Sequence, residues 1–145
     1  MTARTAGGDV LTLLQEQHEL LARVAELAAL QAGLIDQEAT ESLLENLSRR
    51  QQILARVSEI DGRVTLAVAA LSVTDPQFAL IEQRRAAVRE LSQAILEQDR
   101  RDLAQLHLRR DGLARSLAQL SQGSAARGAY APAVAASPSF QDRSA

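Results

Sequence analysis

The chain has 145 residues, 46% of them hydrophobic, no cysteine, and a formal net charge of −2 from 16 basic and 18 acidic residues. That length suits one domain with a real core. The missing cysteines exclude disulfides and thiolate metal sites, and the balanced charge argues against nucleic acid as the main partner.

Only Phe78, Tyr130 and Phe140 are aromatic, so a core must be packed from Leu, Ile, Val and Ala, which favours helix on helix over sheet on sheet. All 16 basic residues are Arg; a GC-rich genome accounts for this more simply than a demand for guanidinium contacts. The opening Met1 to Gly8 has no apolar h-region and does not read as a signal peptide. The longest apolar stretch, Val64 to Val73, is interrupted by Thr65 and Ser72 and falls far short of the ~20 residues of a membrane span. The expectation is a cytoplasmic protein without membrane insertion.

Residues 1–8 read as a flexible N-terminus. Asp9 reads as the N-cap of a first helix, with Val10, Leu13, Leu14, Leu20, Leu21, Val24, Leu27 and Leu30 recurring at helical spacing. Gly33 is its stop, or a kink through which it continues. Thr40 is the next cap candidate. The second helix carries Leu43, Leu44, Leu47, Ile53, Leu54, Val57, Val64, Val68 and Leu71 on one side, and Asp61 falls in the same seam. Glu45 with Arg49 and Glu59 with Arg63 are acid-first i,i+4 pairs.

Asp75-Pro76 is the clearest punctuation, an N-cap followed by proline where its missing N–H costs nothing. The third helix runs through Ile81, Val88, Leu91, Ile95, Leu103, Leu106, Leu113, Leu117 and Leu120. Its seam is broken at Gln98 to Asp102, where the heptad slips. Asp99 and Asp102, flanked by Arg100 and Arg101, read as a solvated salt-bridge cluster. From Gln122 the composition turns to Gly, Ala, Ser and Pro, so residues 122–145 are expected to be a disordered tail. The fold class is therefore all-α, three long antiparallel helices forming an elongated bundle or coiled coil over residues 9–121.

At a rise of ~1.5 Å per residue the three helices span ~37, ~46 and ~69 Å, so the third outruns the second by ~20 Å. The overhang carries Leu103, Leu106, Leu113, Leu117 and Leu120, interrupted by Arg110. Burying each Leu is worth ~1.5–3 kcal/mol, and an exposed row of them marks a partner site. The row has four readings: a dimer seam, a stripe folded back at Asp111-Gly112, a groove for another protein's helix, or the ordinary core of a bent helix.

Catalytic groups are not expected. His18 and His107 each stand alone, without a second ligand at helical spacing. No phosphate loop and no Ser-His-Asp or Cys-His grouping is present in the spacing. Neither a metal nor another cofactor is expected. Tyr130 and Phe140 are aromatics in the polar tail, either recognition anchors or simply exposed residues.

The order of parts resembles the FlgN-type flagellar export chaperones. The matching segments are the opening helix Leu11 to Leu30 with Gln31-Ala32-Gly33, then Leu43-Leu44-Glu45-Asn46-Leu47 and Arg50-Gln51-Gln52-Ile53-Leu54. They continue with Arg109 to Leu117, where Asp111 stands in place of the family's usual Asn, and Ala129-Tyr130-Ala131-Pro132, where no Gly follows the Pro. The likeness covers roughly residues 10–132. It implies a cytoplasmic chaperone that binds the C-terminal helical regions of hook-associated proteins and delivers them to the flagellar type III export apparatus. It also implies that the client is held by the last helix, and that Tyr130 contacts the cytoplasmic domain of the export gate. The competing expectation is a structural coiled-coil homodimer or adaptor without an export role.

Overall fold

The computed structural model describes residues 5–130, with side-chain detail as far as residue 123. It contains three helices, α1 (Ala6–Asp36), α2 (Thr40–Ala70) and α3 (Phe78–Tyr130), and no strand among the described residues. The chain divides into two compact units, residues 1–104 and residues 105–145. The first unit is an up-down-up bundle of α1, α2 and the earlier part of α3. The second holds the later part of α3.

The bundle forms because each helix offers one apolar seam. On α1 the buried residues from Val10 onward are Val10, Leu14, Gln17, Leu21, Val24, Ala28, Gln31 and Ile35. Their spacing alternates between four and three, the repeat that keeps one face on a neighbouring helix. Ile60 and Val64 of α2 and Ile81, Val88 and Ile95 of α3 close the same core, with Leu13, Leu20, Ile53, Val57 and Leu91 around it. Leu30, Leu44, Leu47 and Leu54, which the sequence pattern put in the seam, are exposed.

Helix ends differ from the sequence expectation for local reasons. Thr5, not Asp9, caps α1: its Oγ1 accepts the Gly8 N–H at 3.0 Å, and Asp9 lies in the first turn, where a carboxylate suits the helix dipole. Gly7 is buried against the turn before α3, and a Cβ there would collide with the Gln77 side chain. The Gly7-Gly8 doublet is thus a packing device. Gly33 does not end α1, because the seam continues through it to Ile35. The stop comes at Gln37-Glu38, where Glu38 has φ 54°, a left-handed turn that reverses the chain. Ala39 is the N-cap of α2 and supplies no side-chain bond; Thr40 is already helical. Asp75 Oδ1 accepts the Gln77 N–H at 2.9 Å, so the Asp-Pro turn launches α3 close to where its sequence indicates.

Polar groups depart furthest from expectation. Asp61 is exposed while Ile60 and Val64 occupy the seam. Glu59 pairs with Arg56 at 3.0 Å rather than with Arg63, and Arg56 also reaches Glu16 of α1 at 3.0 Å. Hydrogen bonds to Glu16 first, then Glu59, raise the Arg56 pKa above its ordinary value.

Asp99 and Asp102 are not a solvated cluster with Arg100 and Arg101. Asp99 Oδ2 accepts from Arg50 of α2 at 2.6 Å, and Asp102 is buried, held by Gln98 Nε2 at 2.9 Å. Arg50 also donates to Gln31 of α1, and Asn46 Nδ2 donates to the Leu27 carbonyl at 3.0 Å. Gln31, Arg50 and Asp99 thus form a hydrogen-bonded polar layer across all three helices, and Asn46 and Asp102, four residues before Arg50 and three after Asp99, are buried as well. Asp102 stands seven residues after Ile95 in the 81-88-95 seam; the interruption in the sequence is this layer rather than a slip of register.

Helix α3 continues without a break past Ser121, where the pattern placed its end, and through Gly112 to Tyr130. Of the expected tail, residues 131–145 lie outside the described residues, as do residues 1–4 of the expected flexible N-terminus. No helix of the described residues is long and apolar enough to cross a membrane.

Candidate functional site

Within the second unit, Leu106, Leu113, Leu117 and Leu120 are spaced by seven, four and three residues, so at 3.6 residues per turn they fall on one face. Their exposures are 38, 65, 65 and 70%. In sequence register this face continues the core seam. Leu106, Leu113, Leu117 and Leu120 follow Val88, Ile95, Asp99 and Asp102 by 18 residues each, or five turns. The repeat that builds the core is thus written again in a segment where its leucines meet solvent.

Leu103, the remaining residue of the expected row, belongs to the first unit. It is exposed and lies roughly 80° around the helix from the direction of Leu113. Its neighbour at helical spacing is Leu96, seven residues earlier and also exposed, which the apolar pattern did not single out. Leu108 is exposed as well, on another side of α3. Exposure of this kind has no sequence signal, since a leucine reads the same whether or not a partner helix covers it.

Arginine borders the face. Arg109 and Arg110 precede Leu113 by four and three residues and so flank its direction on either side one turn back. Arg110 has its Nε 3.5 Å from Asp111 Oδ1, both side chains being well exposed, a neighbour contact worth little. Asp111 itself, two residues before Leu113, lies on the far side of the helix.

Tyr130 is the last residue of α3, and its side chain lies outside the described detail, as does all of Phe140. His18 and His107 are both exposed. Among the described residues no group of three or more His, Cys, Asp or Glu is placed to hold a metal ion. The leucine face thus combines exposed apolar area with arginines along its border. No family model, no curated protein and no solved structure matches the chain.

Proposed function

We propose that this protein holds a helix of another protein against the Leu106, Leu113, Leu117 and Leu120 face of α3. Its specific role in this reading is that of a cytoplasmic export chaperone of the FlgN type, which keeps hook-associated proteins unassembled and delivers them to the flagellar type III export apparatus. The observation that carries the reading is the exposure of these four leucines in the register of the core seam. An exposed apolar row of this kind favours a partner, and an amphipathic helix matches it with anchors at the same spacing. The resemblance of the last helix and of the tyrosine segment to that family supplies the identity of the client.

The mechanism is differential binding. The leucine face covers the client surface that would otherwise assemble, and competition at the export gate shifts the equilibrium toward release. Tyr130 makes the gate contact in this reading, and no nucleotide hydrolysis is required.

The test is calorimetric titration of the full chain with the hook-associated proteins of its host. The double variant Leu113→Asp with Leu117→Asp should lose roughly a hundredfold or more in affinity, as two anchors worth ~1.5–3 kcal/mol each would give, with its helical circular dichroism kept. Tyr130→Ala should leave that titration unchanged and weaken binding to the gate's cytoplasmic domain. Unchanged client affinity in the leucine variant would remove the face from the function. Self-association of the free chain, abolished by the same changes, would replace the chaperone with a coiled-coil homodimer.

A further inference from the structure

The seam of α3 could be filled in more than one register. Its core positions, alternating by four and three, are Ile81, Arg85, Val88, Ser92, Ile95, Asp99 and Asp102. Three of these are apolar, with Leu91 packed beside them. Eighteen residues on, the same positions read Asp99, Leu103, Leu106, Arg110, Leu113, Leu117 and Leu120, and five are leucine. A slide of α3 by five turns, ~27 Å, would therefore set more apolar residues against α1 and α2 than the observed packing does. The chain can reach that state: residues 71–77 span up to ~25 Å when extended, so only the first turns of α3 would unwind. Hydrophobic burial alone does not select the observed register.

The polar layer does. Arg50 of α2 donates to Asp99 Oδ2 at 2.6 Å and also to Gln31. In the shifted register Arg50 would meet Leu117, and Asp99 would enter the position of Ile81, which is fully buried. Both charges would then be buried apart from each other, the costly arrangement for such a pair. As a source of stability the layer is poor, since Arg50 Nε and Asp99 Oδ1 are buried without a hydrogen-bond partner among the described residues. Buried polar groups of this kind act by fixing register, as a single polar core residue does in a coiled coil.

We infer that the Arg50–Asp99 pair is a register lock. It holds α3 where Leu103, Leu106, Leu113, Leu117 and Leu120 stay exposed, and bars the slide that would bury them in the chain's own core. The lock itself rests on the packing of the free chain. Its consequence for function rests on the reading of the leucine face as the client surface, which a charge pair inside the bundle keeps available.

The test is pulsed dipolar spectroscopy on the full chain. The chain has no cysteine, so Ser58→Cys and Gln93→Cys put one spin label on α2 and one on α3, both at exposed positions. The wild-type background should give one short distance. Asp99→Leu leaves Arg50 equally unpaired in either register and should add a population whose labels are drawn apart by ~25 Å along the bundle. Arg50→Leu with Asp99→Leu guards against a fold lost to an unpaired Arg50. It should show the same long distance, because six of the seven shifted positions are then leucine. Adding Leu113→Asp and Leu117→Asp to that double variant should restore the short distance. A single short distance in both folded variants would overturn the lock and leave the client face untouched. Loss of the helical circular dichroism in both would overturn it too, making the layer a support rather than a selector. So would both distances in the wild-type background. Client binding is no part of this measurement, so failure of the chaperone reading in titration would leave the lock standing.

Discussion

Ile95 and Leu113 stand five turns apart on α3, in the same register, and meet opposite fates. Ile95 is 6% exposed among the side chains of α1 and α2, and Leu113 is 65% exposed. Likewise Arg50 is buried between Gln31 and Asp99, while Arg110 lies 3.5 Å from its exposed neighbour Asp111. Identical chemistry thus builds a core in the first unit and a surface in the second. A seam's pattern specifies which face is apolar; the presence of neighbouring helices decides whether that face is structural or available.

The sharpest break in this comparison is a matched pair of truncations. Leu21→Ala in the core should cost ~2–5 kcal/mol, seen as a large drop in the urea midpoint. Leu113→Ala should change stability by no more than about 0.5 kcal/mol. A large loss from the second change would mean that the leucine face is structural, contrary to its proposed role.

The next effect in size concerns the arginines. Arg50→Met removes the donor to Gln31 and Asp99 inside the polar layer and should cost roughly 3 kcal/mol in the same denaturation, with much of it regained when Asp99→Leu is added. Arg110→Met should leave the midpoint in place. Equal responses at the two positions would dissolve the distinction between buried and bordering charge.

How much of this was legible follows from which residues signal by type. The three helices and both reversals could be read because Leu, Ile and Val recur at helical spacing and Asp75-Pro76 is unambiguous. The seam's polar members could not be ranked above leucines: Gln17, Gln31, Asn46, Arg50 and Asp102 are buried, whereas Leu30, Leu44 and Leu47 are not. A signal did exist, since the strict alternation of four and three from Val10 to Ile35 passes through both glutamines, but it is visible only when position is weighed above hydropathy. The Arg50–Asp99 pair joins residues 49 apart in sequence, beyond any local pattern. The leucine row was legible as a row because leucine at such spacing is itself the signal, and as an exposed one because the third helix outruns its neighbours by ~20 Å; the structure finds these leucines exposed.

The smallest contrast is between two glycines with open space around them. Gly62 and Gly112 are helical, and a Cβ at either would meet nothing within 4 Å. Gly62→Ala should add ~0.5–1 kcal/mol to the stability of the bundle. Gly112→Ala should raise the helical circular dichroism signal without moving the unfolding midpoint. If both shifted the midpoint equally, the two units would unfold as one.

The order of the seam along the chain has a consequence for folding. The turns 37–39 and 71–77 are short, so the bundle is made of helices adjacent in sequence, and such local topologies fold in microseconds to milliseconds. Synthesis proceeds at ~5–20 residues per second, far more slowly. The leucines after residue 104 are therefore made only once every residue of the core and the polar layer has been made. A nascent bundle can close before the leucine face is complete, which keeps that face from competing with the seam it resembles.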